Sequence, residues 1–382
     1  MMMKNKTTKL GKVIRIQSGY SPSSFTLTER GPIPYVKVED MNNCNKYQST
    51  SRFYTDNMKR SVPAGAVIFP KRGAAIMNNK VRITENDICM DTNMMALIPD
   101  SKYLDSEYLF NLLIHEKLYK IADTSTIPQI NNKHIDLYII PLPSMPEQKE
   151  IVRFITQWDT AIEKTEALIA AKERQFGWLV TSLIYKSGHR KKQLSDFIEE
   201  VSKRNRGNEI DRVLSVTNRN GFILPEDQFE RRVASANVTN YKIIQQGQYA
   251  YNPSRINVGS IARLDDWSDG ILSPMYTVLK LNETVVDSDY FLHWLSSSEA
   301  KQRIKKSAQG SVRETVSFSD LGAIPIHLPE LSVQQKIANT LNTARHEIDL
   351  LKKRAGQYRT QKAGLMQKLL SGEWHIKNKG AA

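Results

Sequence analysis

Cysteine is almost missing from this chain: of 382 residues, only Cys44 and Cys89 carry thiols. Two thiols cannot build a four-cysteine zinc site or a disulfide framework, and both are expected to be reduced in a cytoplasmic protein. Long apolar runs are missing too. No stretch approaches 18 uninterrupted apolar residues, so no transmembrane helix is expected. The opening Met1-Met2-Met3-Lys4-Asn5-Lys6 has no apolar segment behind it, which argues against a secretory signal. Acidic residues are the minority, 40 against 54 Lys and Arg, for a net charge of +14. Charged residues are 25% and hydrophobic residues 40%, an ordinary globular balance. The length allows two domains and something extra. A basic intracellular protein without a membrane role points first to a polyanionic partner, above all nucleic acid.

Catalytic signatures are scarce as well. No G-x-x-x-x-G-K-[ST] phosphate loop occurs, which argues against a P-loop motor. Asn252-Pro253-Ser254-Arg255 lacks the second proline and the aromatic that an amino-methyltransferase loop needs, and reads as a turn. Asp100 with Glu147-Gln148-Lys149 can be forced into a nuclease pattern. Glu147 and Lys149 open a helix, however, where such charges serve as cap and solvated face. The seven histidines are scattered without zincin spacing, so no metal site is expected.

What the chain does contain is a repeat of itself. Asp105-Ser106-Glu107-Tyr108-Leu109 is echoed by Asp287-Ser288-Asp289-Tyr290-Phe291, 182 positions later. Leu142-Pro143 and Gln148 return 186 positions on, as Leu328-Pro329 and Gln334. Leu10 and Ile14 match Leu194 and Ile198 at 184. Each half runs in one order. A mixed segment with short strands comes first, such as Ala66-Val67-Ile68-Phe69 and Gln248-Tyr249-Ala250-Tyr251, preceded by Gly65 and Gly247. A short helix follows, opened by the Asp-Ser-acid-Tyr string. A proline step comes next, and one long helix ends the half.

The long helices carry the clearest period. Ile151, Ile155, Trp158, Ile162, Thr165, Ile169, Lys172, Phe176, Leu179 and Leu183 step by fours and threes. Ile337, Leu341, Ala344, Ile348, Leu351, Ala355, Tyr358, Lys362, Leu365 and Leu369 repeat the stripe 186 positions later. Sustained 3-4 spacing predicts a coiled-coil seam, interrupted by Thr165, Lys172 and Lys362. The plainer alternative is that each helix packs on its own domain. Ser144-x-x-Glu147 and Ser332-x-x-Gln335 fit capping boxes, and Gly188 and Gly372 stand where C-capping glycines belong.

Binding chemistry follows the duplicated strands. Lys71, Arg72, Asn78, Asn79, Lys80 and Arg82 trail the first. Asn252, Ser254, Arg255 and Asn257 trail the second. A later loop in each half carries Ser125, Thr126 and Gln129, or Ser311 and Arg313. Arg reads guanine edges and Asn or Gln adenine edges through paired hydrogen bonds; Lys and Arg also hold phosphates. Polar residues after a strand are also ordinary loop surface.

In Pro141-Leu142-Pro143-Ser144-Met145-Pro146-Glu147-Gln148, Gly65-Ala66-Val67-Ile68-Phe69 and Thr124-Ser125-Thr126, and in their order twice over, the chain resembles the specificity subunit of Type I restriction–modification systems. The resemblance spans nearly the whole sequence. The second copy departs from the pattern, because Ser332-Val333-Gln334-Gln335 keeps the glutamine without the Pro-Glu pair. The resemblance implies an α+β protein with two mixed α/β target recognition domains, joined by two long helices in an antiparallel coiled coil with internal pseudo-twofold symmetry. The expected division is 1–143 and 189–330 for the recognition domains, 144–188 and 331–372 for the helices, and 373–382 for a tail. It also implies a non-catalytic subunit that reads a bipartite, asymmetric target in double-stranded DNA. Methyltransferase subunits carrying S-adenosylmethionine, and motor-nuclease subunits using ATP and Mg²⁺ for restriction, would dock on it. A recognition subunit of a fused restriction–methylation system (Type IIB-like) and a coiled-coil scaffold without a DNA role stay open as alternatives.

Overall fold

The computed structural model describes residues 7–124, 127–184, 190–218, 220–224, 237–309 and 315–376. Among them the α-helices are α1 (Ser106–Glu116), α2 (Asn132–Asp136), α3 (Met145–Ile184), α4 (Ser288–Ser296), α5 (Ser298–Gln309), α6 (Phe318–Gly322) and α7 (Leu331–Leu370). The chain divides into two compact units, 1–165 with 354–382 and 166–353. Each unit therefore owns one mixed domain, one end of α3 and one end of α7. None of the described helices is long and apolar enough to cross a membrane.

In the first unit a five-stranded sheet has the spatial order Ile14–Ser18, Met94–Pro99, Val67–Pro70, Arg82–Thr84, Tyr47–Gln48. Its pairings are antiparallel except the last, which is parallel. A three-stranded sheet of Phe53–Thr55, Ile33–Val36 and Cys89–Met90 stands beside it. The second unit repeats four of the five strands as Ile198–Glu200, Thr277–Leu281, Tyr249–Tyr251 and Ile261–Arg263, in the same order. Each domain is closed by a two-stranded antiparallel ladder between its first strand and its last. Thr7–Lys9 pairs with Ile139–Pro141, and Arg190–Gln193 with Pro325–Leu328.

Local chemistry explains where these elements begin. Gly65 and Gly247 both take φ +82 immediately before the central strands, a conformation that a Cβ opposes and glycine accepts. The Asp105 carboxylate accepts from Glu107 N and Tyr108 N, and that of Asp287 from Tyr290 N, so each caps its short helix. Gln148 and Gln334 are fully buried at the start of the long helices. The Gln148 side chain accepts from Asp105 N (2.9 Å) and donates to the carbonyls of Tyr103 (2.8 Å) and Pro143 (2.9 Å). Gln334 does the same with Asp287 N (2.9 Å), Val285 (3.1 Å) and Pro329 (2.9 Å). One amide thus ties the cap of the short helix, the proline step and the long helix together, once per unit.

The periodic stripe is buried or half-buried at every position, and it meets two kinds of neighbour. Ile151, Ile155 and Leu369 belong to the core of the first domain, whereas Phe176, Ile337, Leu341 and Ile348 belong to that of the second. Between helices, Trp158 packs edge-on against Tyr358 with ring centroids 5.6 Å apart. The polar interruptions are paired: Lys362 with Asp159, and Lys172 with Glu347 (2.8 Å). Thr165 returns its hydroxyl to the Ala161 carbonyl. Within the first unit, 147 bonds to 375 and 159 to 362; within the second, 173 pairs with 352 and 176 with 345. Both sets run antiparallel.

The capping boxes correct the sequence reading. α7 starts at Leu331, so Ser332 lies inside the first turn, and the Glu330 carbonyl accepts from Val333 N and Gln334 N. The Glu147 carboxylate turns to His375 and Ile376 N instead of its own helix start. Gly372 does end its helix, at φ +75; Gly188 lies outside the described residues.

Candidate nucleic-acid interface

In the first unit, the strand Val67–Pro70 runs straight into Lys71-Arg72-Gly73. The loop after Asp123 is pinned beside it. Asp123 and Gln129 exchange both backbone hydrogen bonds (2.9 and 3.0 Å), closing that loop. Ile130 N then donates to the Lys71 carbonyl (2.9 Å), and Gly73 N to that of Pro128 (2.9 Å). Arg72 and Gln129, far apart in sequence, form a bridge pair. Arg72 and Asn78 are exposed, while Gln129 and Lys80 are half-buried. Lys71 donates to the Ser18 hydroxyl (3.0 Å), and burial, then the Arg72 charge, push its ammonium pKa below the usual lysine value. Ser125 and Thr126 lie outside the described residues.

Two candidates of the first loop are engaged elsewhere. Asn79, at φ +49, spends its whole amide on the end of α1: Nδ2 donates to Ile114 O (3.0 Å), and Oδ1 accepts from Leu118 N (2.8 Å). Arg82 sits in a strand, and its guanidinium donates to the carbonyls of Val81 (2.7 Å) and Met41 (2.8 Å). Both side chains are thus held by backbone groups of their own domain. A sequence supplies the residue type, and the backbone acceptor that claims it appears only in the fold.

The second unit repeats the arrangement. Val316 N donates to the Pro253 carbonyl (3.0 Å), the counterpart of the Ile130–Lys71 bond. Asn252 makes the turn expected of it, since its Oδ1 accepts from Ser254 N (3.0 Å) and its carbonyl from Arg255 N (2.9 Å). Ser254 and Arg255 are exposed, and Asn257 is half-buried. Ser311 and Arg313 lie outside the described residues. The turn borders a cleft of about 480 Å³ whose rim includes Asn218, Asn257, Lys301 and Lys305. Sequence reading passed over Asn218 and the two lysines; the four-residue spacing of the lysines on one helix was the available signal.

The strongest charge clusters are structural. The Arg263 guanidinium holds Asp265 (2.6 Å) and Asp289 (2.7 Å). Asn342 of α7 donates to Asp289 (2.7 Å) and meets His293 Nε2 (2.7 Å). Burial opposes ionisation of Asp289, yet the bonds from Arg263 and Asn342 outweigh it and hold the pKa below the usual range. Burial pushes that of His293 down. In the first unit Glu107 receives Lys46 and Tyr47 instead. Asp100 caps its own turn through Lys102 N. Among the described residues no group of three or more His, Cys, Asp and Glu could hold a metal.

Comparison with known proteins agrees with this duplicated frame. The family model described as Type I restriction modification DNA specificity domain matches residues 2–172 and again 234–357. A Methanocaldococcus jannaschii sequence carrying the MjaX specificity-subunit name is 23% identical over 408 residues, 98% of this chain and 90% of its own. The Type I restriction enzyme MjaVIII specificity subunit of the same organism is 23% identical, covering 79% of this chain and 82% of its own. In fold, the chain is similar to the S subunit of a Type I restriction–modification system from M. genitalium. The TM-score is 0.57 with 14% identity, over 96% of each chain. The chain belongs to the Type I restriction modification DNA specificity family.

Proposed function

We propose that this chain is the DNA sequence-recognition subunit of a Type I restriction–modification complex, each unit reading one half of a split, asymmetric target. The observation that carries the reading is the same loop pair presented twice. A polar turn after the central strand is hydrogen-bonded to a second loop through Ile130–Lys71 in one unit and Val316–Pro253 in the other. In this reading Arg72 with Gln129, and Ser254 with Arg255, meet base edges. The chain does no chemistry itself. Methyltransferase subunits carry S-adenosylmethionine, motor-nuclease subunits carry ATP and Mg²⁺, and the assembly works in the cytoplasm.

Two helices of 40 residues each, about 60 Å at 1.5 Å per residue, suit a spacer, because major grooves on one DNA face recur every 34–36 Å or so. The test is a base-resolution methylome with the gene intact and deleted. Deletion is expected to erase one split adenine-methylation motif; an unchanged methylome in cells with an active system would refute the reading. One heptad inserted into both helices is expected to lengthen the unread spacer and leave both half-sites unchanged.

A further inference from the structure

We propose that α5 of the second unit is a DNA-backbone clamp. Lys301 and Lys305 hold phosphates of the strand flanking the bases met by the Asn252–Asn257 turn, and among the described residues the first unit has no helix equivalent to α5. This rests on the DNA-recognition reading and adds which side chains bind backbone and on which half of the target.

The cleft of about 480 Å³ is bounded on one side by the turn Asn257-Val258-Gly259 and on the other by α5. Its floor is apolar and includes Ile256 and Ile304, both buried. Lys301 and Lys305 lie one helical turn apart, so their ammonium groups project from one face. Both are exposed. Among the described residues neither has an acidic partner, because Glu299, the acid of α5, is taken by Arg303. Asn218 and Asn257 add amides to the rim. An apolar floor under a cationic rim suits a sugar–phosphate strand, with deoxyribose carbons against the floor and phosphate oxygens on the lysines. The cleft is continuous with the candidate reading turn, since Asn257 belongs to both.

The first unit is built differently at the matching place. Asn79 bridges from the loop after the strand to the end of α1 through Ile114 O and Leu118 N, and the chain continues as a single 3-10 turn, Leu118–Lys120, where the second unit has a 12-residue helix. The α5 clamp therefore belongs to the half-site read by the second unit.

The test uses the assembled methyltransferase complex and a duplex bearing its methylome-defined target. Lys301→Ala/Lys305→Ala is expected to weaken binding and to make the plot of log K against log salt shallower by about two, at roughly 0.9 per phosphate contact. The ranking of single-base changes in the target stays as in wild type. Phosphate-ethylation interference is expected beside one half-site in wild type and to vanish there in the variant. Lys301→Arg/Lys305→Arg keeps both signals. An unchanged salt slope, an unchanged interference pattern or an altered base ranking would each overturn the clamp. A wild-type complex that binds every duplex alike would instead overturn the recognition reading on which the clamp rests.

Discussion

The two units are alike in the frame that ties their short helix, central strand and long helix together, and unlike in the elements built around it. The buried glutamine, the aspartate cap, the positive-φ glycine and the loop-to-strand hydrogen bond recur at matching positions. The elements around them do not. The first unit has a three-stranded side sheet, whereas the second has the ladders Ser215–Thr217 with Gly221–Ile223 and Lys242–Gln245 with Asp269–Leu272. After the short helix, one unit makes a single turn and the other makes α5. A duplicated frame with diverged outgrowths is what two readers of different half-sites need: the frame fixes where a loop emerges, and the outgrowth decides what it meets.

The sharpest way to break this likeness is at the frame. Gln148→Leu strands the Asp105 N–H and the carbonyls of Tyr103 and Pro143 in the interior. Unpaired buried groups cost about 1–3 kcal/mol each, so a loss of about 4 kcal/mol is expected by denaturant unfolding. Gln334→Leu is expected to cost the same. Very unequal costs would show that the shared hydrogen bonds are not a shared frame.

A smaller effect separates frame from reader within one loop. Arg82→Met removes two bonds to backbone carbonyls and is expected to cost about 2 kcal/mol of stability without changing which bases are read. Arg72→Ala is expected to leave stability nearly unchanged and relax one half-site, by about 1–3 kcal/mol for a lost paired contact. Arg255→Ala is expected to relax the other half-site only. Methylation of a library of mutated targets reads all three. Loss of both half-sites from either exposed arginine would place those side chains in the frame.

The repeat, the short helices and the long stripe were legible in the sequence because periodicity is local. Their partners were not. The stripe reports which residues are buried, not against what: Ile151 and Phe176 end in domain cores, while Trp158 meets Tyr358 across the helix pair. Asn79 and Arg82 resembled readers because an amide or guanidinium in a loop carries no mark of the carbonyl that will claim it. Ser332 looked like a cap because a Ser-x-x-Gln string fits one, but α7 begins at Leu331, two residues before a Ser332 cap would start it. Gln148 and Gln334 were visible as a repeated residue, and only their burial reveals a triple hydrogen bond.

The mildest difference between the units is one of charge. His293 and Asn111 occupy the same position of the repeated short helix, and both are buried. Asn111 donates to the Glu107 carbonyl (2.8 Å) and does not titrate. His293 packs against Phe176 (6.0 Å) and Asn342, its pKa pushed below the usual value by burial. The unfolded chain then binds a proton more readily than the folded one, so stability falls as pH drops below about 6.5, the ordinary histidine value. The slope is at most about 1.4 kcal/mol per pH unit and ends at the lower folded pKa. Asp289, held down by Arg263 and Asn342, adds a separate loss only below about pH 4, where carboxylates protonate. His293→Asn is expected to remove part of the slope between pH 6.5 and 5 in thermal unfolding of the complex. His115, also pushed down by burial, leaves a residual slope in the first unit. A variant with the full wild-type slope would mean that His293 keeps its proton on folding, and that this difference between the units is one of shape rather than charge.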